Sequence, residues 1–133
     1  MPENLIELKA LIINEDEQFL MLWPRANGPV KKKGKNWEIP TGMLGSKSSE
    51  QTIGEIVKKA CNVKADVLRP VKMFTYKKDG REILVIIFAC KYVSGKIKLD
   101  KKYSSYRWVD SGKAQHVRPG DAADEEIINL GIE

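Results

Sequence analysis

Apolar positions along this chain fall into short blocks, most with the spacing of strands and two with that of helices. Leu5 to Asn14 is rich in Leu and Ile and runs into Asn14-Glu15-Asp16-Glu17, so it predicts a strand entering a hairpin turn. Phe19 to Trp23 reads as the returning strand, ended by Pro24. The stretch Pro24 to Asn36 reads as a loop, with Asn27-Gly28-Pro29 and the lysine run Lys31-Lys32-Lys33-Gly34-Lys35. From Trp37 to Val63 the pattern predicts a short strand, a glycine-bearing loop and a helix. Ser48 or Ser49 suits the N-cap, and Glu50 follows where an acid favours the positive end of the helix dipole. Ile53, Ile56, Val57 and Ala60 share one helical face, Lys58 and Lys59 fall in the last turn, and Asn62 can take the left-handed conformation that stops a helix.

Beyond the helix, Val63 to Tyr76 is β-prone but interrupted at Pro70, which predicts an edge position or a bend. Asp79-Gly80 between two β-prone runs is a strong hairpin signal. Ile83 to Cys90 is nearly all apolar and predicts a strand buried on both faces. Gly95 to Leu99 alternates, with Lys96 and Lys98 outward and Ile97 and Leu99 inward, and predicts another short strand. Asp121 to Leu130 reads as a closing helix whose apolar positions pack on the sheet. Strands mixed with two or three helices suggest an α/β or α+β class.

Composition sharpens this picture only in places. At 133 residues there is room for one domain with a genuine core and too little for two, so residues 1–133 read as a single domain. The net charge of +5, with lysines in clusters, favours acidic partners such as phosphates, nucleotides or nucleic acid. Cys61 and Cys90 lie in apolar surroundings and read as buried free thiols, which implies a reducing, cytoplasmic setting. The first residues carry Glu3 and Glu7 and no basic n-region, and no apolar run approaches membrane-spanning length, so neither a signal peptide nor a membrane partner is expected. His116, the sole histidine, stands beside Arg118 in a loop and reads as incidental. Neither a Cys/His metal spacing nor a nucleophile triad appears.

Trp37-Glu38-Ile39-Pro40-Thr41-Gly42, a loop, and a helix ending in Asn62-Val63 resemble the Nudix box, the signature of hydrolases that cleave a nucleoside diphosphate linked to another group. In that family a Gly is followed by a loop Glu and then by Arg-Glu-apolar-x-Glu-Glu-x-Gly-apolar. With Asn62 on the final Gly, Lys47 stands at the loop Glu, Glu55 at the Arg, Ile56 at the first Glu, and Lys59 and Ala60 at the Glu-Glu pair. A second register sets Glu55 on the first Glu and Lys58 and Lys59 on the pair. Both lose the paired carboxylates that hold magnesium or manganese in the family, and an ammonium cannot ligate a cation. Arg107-Trp108-Val109-Asp110 also resembles the family, where an acidic loop often precedes this strand; here Lys101 and Lys102 occupy it, with Asp100 the only nearby acid.

The resemblance implies an α/β/α sandwich, a mixed sheet between helices. It also implies a site that binds a nucleotide or other phosphate-containing small molecule, with no metal cofactor and without the usual hydrolysis. Arg25, Lys31, Lys32, Lys33 and Lys35 would line one side and Lys58, Lys59, Lys101 and Lys102 the other, around Glu38 and Gly42. Trp23, Trp37 or Tyr103 would stack on a base, with nucleic acid as a second acidic partner. The competing reading is a diverged hydrolase in which Glu38, Glu50, Glu55 and Asp100 hold magnesium or manganese, with Glu55 catalytic. A third is a protein-interaction module on the same scaffold.

Overall fold

A computed structural model describes residues 5–24 and 38–110. In chain order they form β1 (Leu5–Ile13), β2 (Gln18–Pro24), β3 (Thr41–Met43), α1 (Ser49–Cys61), β4 (Lys64–Lys78), β5 (Arg81–Ser94) and β6 (Tyr103–Asp110). The strands make one sheet in the order β4-β5-β1-β2-β6, with β3 paired to β1. β1 runs parallel to β5, and the other pairs are antiparallel, so the sheet is mixed and the class is α+β. Among the described residues no helix is long and apolar enough to cross a membrane. The expected closing helix, Asp121 to Leu130, lies outside the described residues.

The opening hairpin is held by its acidic turn. Asn14 Oδ1 accepts from the amides of Asp16 and Gln18, both at 3.0 Å, and Glu17 turns the chain with φ 59°. Below Ile13 and Phe19 the two strands part, and residues 38–44 fill the gap. Glu38 exchanges both backbone bonds with Leu22, at 2.6 and 2.8 Å, and Ala10 N–H donates to the Pro40 carbonyl at 2.9 Å. Thr41–Met43 then pairs with Lys9, Leu8 and Glu7. The segment carrying Glu38 and Gly42 is thus stitched into the middle of the sheet.

Side-chain alternation sorts the sheet into two cores. Leu8, Ala10, Ile12, Leu20 and Leu22 meet Ile53, Val57, Ala60 and Cys61 of α1. Leu11, Phe19, Met21, Ile39, Ile83, Val85, Ile87 and Val109 form the core of the opposite face. The β4–β5 hairpin turns at Asp79-Gly80, with φ 53° and 76°, as a two-residue turn of positive φ requires. β4 is an edge strand, and its register shifts on both sides of Pro70, which lacks the amide a regular ladder needs.

Two expectations need correction. In β5 one set of side chains, Ile83, Val85, Ile87 and Ala89, is buried, whereas Leu84, Ile86 and Phe88 are only half-buried, because α1 packs on β1, β3 and β4 and leaves the helix side of β5 partly uncovered. The segment Gly95 to Leu99 joins no strand. Its inward Ile97 and Leu99 do pack on the helix-side core, but its backbone serves the end of α1: Lys98 N–H donates to Cys61 O at 3.0 Å and Asp100 N–H to Ala60 O at 2.9 Å. The last carbonyls of a helix have no partner within it, and an extended neighbour supplies one.

Candidate functional site

Helix α1 is fixed at both ends, and that fixes what its inner face presents. Ser48 is the N-cap: its hydroxyl accepts from Gln51 N–H at 3.1 Å, while Gln51 Oε1 accepts from Ser48 N–H at 3.3 Å, completing a capping box. Thr52 adds its hydroxyl to the Ser48 carbonyl at 2.8 Å. At the other end Asn62 adopts φ 59°, ψ 34° and its N–H closes on Lys58 O at 2.9 Å.

Across from this helix lies Gly42 of β3. A Cβ there would sit 2.8 and 2.9 Å from Cγ1 and Cδ1 of Ile56, so the absence of a side chain lets the strand and helix approach. The groove between them is a cleft of about 240 Å³. Thr41, Gly42 and Met43 line it from β3, Thr52, Glu55, Ile56, Lys59 and Ala60 from α1, and Lys102 from the turn before β6. Among the described residues its charged lining is therefore one carboxylate and two ammonium groups. Glu55 is already engaged, with Lys47 Nζ 2.5 Å from its Oε2. A wider, more open groove of about 580 Å³ runs along the outer side of α1, lined by Lys47, Gln51, Gly54, Glu55, Lys58 and Lys59. The smaller cleft is walled by strand, helix and turn together.

Lys102 is set in place from behind. Its Nζ lies 5.2 Å from the centroid of the Tyr103 ring, within cation–π reach. Tyr103 is 2% exposed. Burial raises its phenol well above the ordinary value, and the Glu38 carboxylate, which takes the phenol's hydrogen bond, pushes the same way, as do Asp100 and Cys61. Tyr103 N–H in turn donates to Asp100 O at 3.0 Å, closing the Asp100–Tyr103 turn.

No family model matches the sequence, and neither does any curated protein. Solved structures do match. The MutT protein from Methanosarcina mazei Go1 superposes with a TM-score of 0.80 at 20% identity, over 98% of this chain and 94% of that one. A Nudix hydrolase from Nitrosomonas europaea gives 0.74 at 18% identity, over 96% and 87%. The Nudix domain of NrtR from Shewanella oneidensis, solved in complex with ADP ribose, gives 0.73 at 13%, over 97% and 86%. This chain has the Nudix fold.

On that Nudix scaffold the residues singled out from the sequence separate into groups. Gly42, Glu55, Lys59 and Lys102 come together in the cleft. Lys58 lines the outer groove and not the cleft. Glu50, in the first helical turn, and Lys101, beside Lys102, line neither. Glu38 is drawn to Tyr103, and Asp100 uses its backbone to join the end of α1 to β6. Arg25, Lys31, Lys32, Lys33, Lys35, Trp37 and His116 lie outside the described residues. Among the described residues no three His, Cys, Asp or Glu side chains converge as a metal site would need. Tyr103 cannot stack on a base, since its ring is buried beneath Lys102. The sequence reading missed Thr41, Met43, Thr52 and Ile56 as lining residues. Thr41 and Met43 flank Gly42, and Thr52 and Ile56 lie one turn apart on the face that carries Glu55 and Lys59, so the helical spacing held the signal.

Proposed function

We propose that this Nudix-fold chain binds a nucleotide or other phosphate-containing small molecule in the Gly42–Lys59–Lys102 cleft, and that it lacks the usual metal-dependent hydrolysis. The observation that carries the reading is the convergence of Lys59 and Lys102, from two different elements, on one cleft whose single carboxylate among the described residues is already paired to Lys47. Ammonium groups attract phosphate oxygens and offer no lone pair to a cation. Magnesium asks for near-octahedral oxygen ligation, usually through carboxylates together with substrate phosphates. Glu55 alone fits that poorly, so both registers of the box point to a site without its paired glutamates. The complex of the Shewanella domain with ADP ribose supports a dinucleotide-like diphosphate as the first ligand to try.

Isothermal titration with ADP ribose, nucleoside triphosphates and a short oligonucleotide tests this. Expected is binding of at least one phosphate-bearing small molecule, weakened by salt, with no release of product in magnesium or manganese. Absence of binding to the whole panel would end the proposal. Because Glu55 does line the cleft, the hydrolase alternative has its own test: magnesium-stimulated turnover that disappears in Glu55→Gln would establish it and overturn the non-hydrolytic reading.

A further inference from the structure

Resting on that reading, we infer that the cleft takes the metal-free form of a diphosphate, so that magnesium opposes binding instead of assisting it. The lining cations are covalently part of the protein: Lys59 reaches in from the last turns of α1 and Lys102 from the turn held on Tyr103. A diphosphate presents oxygens on adjacent phosphorus atoms, and the cleft offers ammonium groups from two elements, α1 and the turn before β6, to take them. Magnesium bound to the same diphosphate occupies those oxygens and cancels the charge that the lysines attract. It also brings a dication toward two ammonium groups, while Glu55, the one carboxylate lining the cleft among the described residues, is held by Lys47. Protein and metal thus compete for one set of lone pairs.

ADP, which chelates magnesium, is the probe. Titration calorimetry is run in EDTA and again in magnesium chloride, with sodium chloride matching the ionic strength so that simple screening is removed from the comparison. If only free ADP binds, complexing about nine-tenths of it raises the apparent Kd about tenfold. A Kd that is unchanged, or tighter in magnesium, would overturn the inference while leaving phosphate binding intact. Failure of ADP, ADP ribose and pyrophosphate alike to bind in EDTA would overturn the proposed function itself.

A charge reversal supplies the second arm. Residue 59 lies one helical turn beyond Glu55, so Lys59→Glu places two carboxylates on one face at metal-sharing spacing. Lys59 is exposed, and its replacement removes no core contact. In Lys59→Glu the magnesium penalty is expected to shrink to less than about twofold or to reverse sign. An identical penalty in wild type and variant would show that the lysine does not compete with the metal, and the inference would fall.

Discussion

Lys9 and Lys59 stand on opposite faces of the same sheet and are put to opposite uses. Lys9, on β1, is 4% exposed; its Nζ lies 3.1 Å from Thr41 Oγ1 and 3.9 Å from Glu7 Oε1. Tyr76 approaches the same Glu7 carboxylate at 3.3 Å, so the ammonium lies within a polar cluster embedded in the second core. Lys59 is exposed at the lip of the helix-side cleft with Lys102 on the far wall. Burial with partners makes a lysine part of the fold, whereas exposure beside a cavity leaves its charge available to a ligand. Lys9 still bears on the cleft at one remove, because Thr41, which it grips, adjoins Gly42 and donates its own hydroxyl to Ile39 O at 2.9 Å.

The sharpest way to break this contrast is Lys9→Ala. Removing the ammonium takes the hydrogen bond from Thr41 and leaves the Glu7 carboxylate in the interior without its cation, and a loss of about 3 kcal/mol in unfolding free energy is expected by urea denaturation. A change below about 1 kcal/mol would mean that Lys9 is no more structural than a surface lysine.

The helix-side core makes its own electrostatic statement through its thiols. Cys61 and Cys90 are free and buried, and burial pushes them from 9.0 up to about 11 and about 12. A backbone hydrogen bond at Val63 pulls Cys61 slightly back. A folded pKa above the unfolded one means that the native state holds the proton more tightly. The resulting stability is therefore complete below pH 9 and is lost as pH rises toward 11 and 12. About 3 kcal/mol should be gone by pH 10, and the double variant Cys61→Ala, Cys90→Ala should lose less over the same interval. Equal slopes for the two proteins would exclude the thiols as the cause.

The cleft lysines should behave in the reverse manner to Lys9. Lys59→Ala or Lys102→Ala is expected to weaken ADP binding about tenfold each, about 1.4 kcal/mol, with the urea midpoint unchanged. A variant that lost stability along with affinity would place Lys59 in the same class as Lys9, and the distinction drawn between the two faces would fail.

Elements whose signal is local were legible in the chain. The N-cap at Ser48, the stop at Asn62, the Asp79-Gly80 turn and the shift at Pro70 each follow from what one residue's backbone or side chain can do. What stayed hidden depends on distant partners. Gly95 to Leu99 alternates like a strand, yet it finds helix carbonyls instead of a ladder, because a free edge and a helix end offer acceptors that sequence spacing cannot tell apart. Lys9 looks in sequence like any outward strand residue; its burial depends on Thr41, which lies across the sheet from it on β3, and on Glu7, two residues back on the same face of β1. Glu38 read as a ligand contact, but the phenol of Tyr103, far along the chain, claims its carboxylate. Of the cleft itself, the box frame gave Gly42, Glu55 and Lys59, and the Arg-Trp-Val-Asp frame gave Lys102.

The smallest expected effect concerns how firmly α1 holds the cleft wall. Ser48→Ala removes the hydroxyl that accepts from Gln51 N–H and should cost about 1 kcal/mol. Asn62→Gly relieves a left-handed non-glycine residue but loosens the unfolded chain, so the two effects nearly cancel and a change within about 0.5 kcal/mol is expected. If the cap matters to the site as well as to the helix, Ser48→Ala should also weaken ADP binding, because fraying of the first turn frees Thr52, which both bonds Ser48 O and lines the cleft. Loss of stability with unchanged affinity would instead mean that the far end of α1, where Lys59 lies and residues 98–100 grip the last carbonyls, sets the cleft by itself.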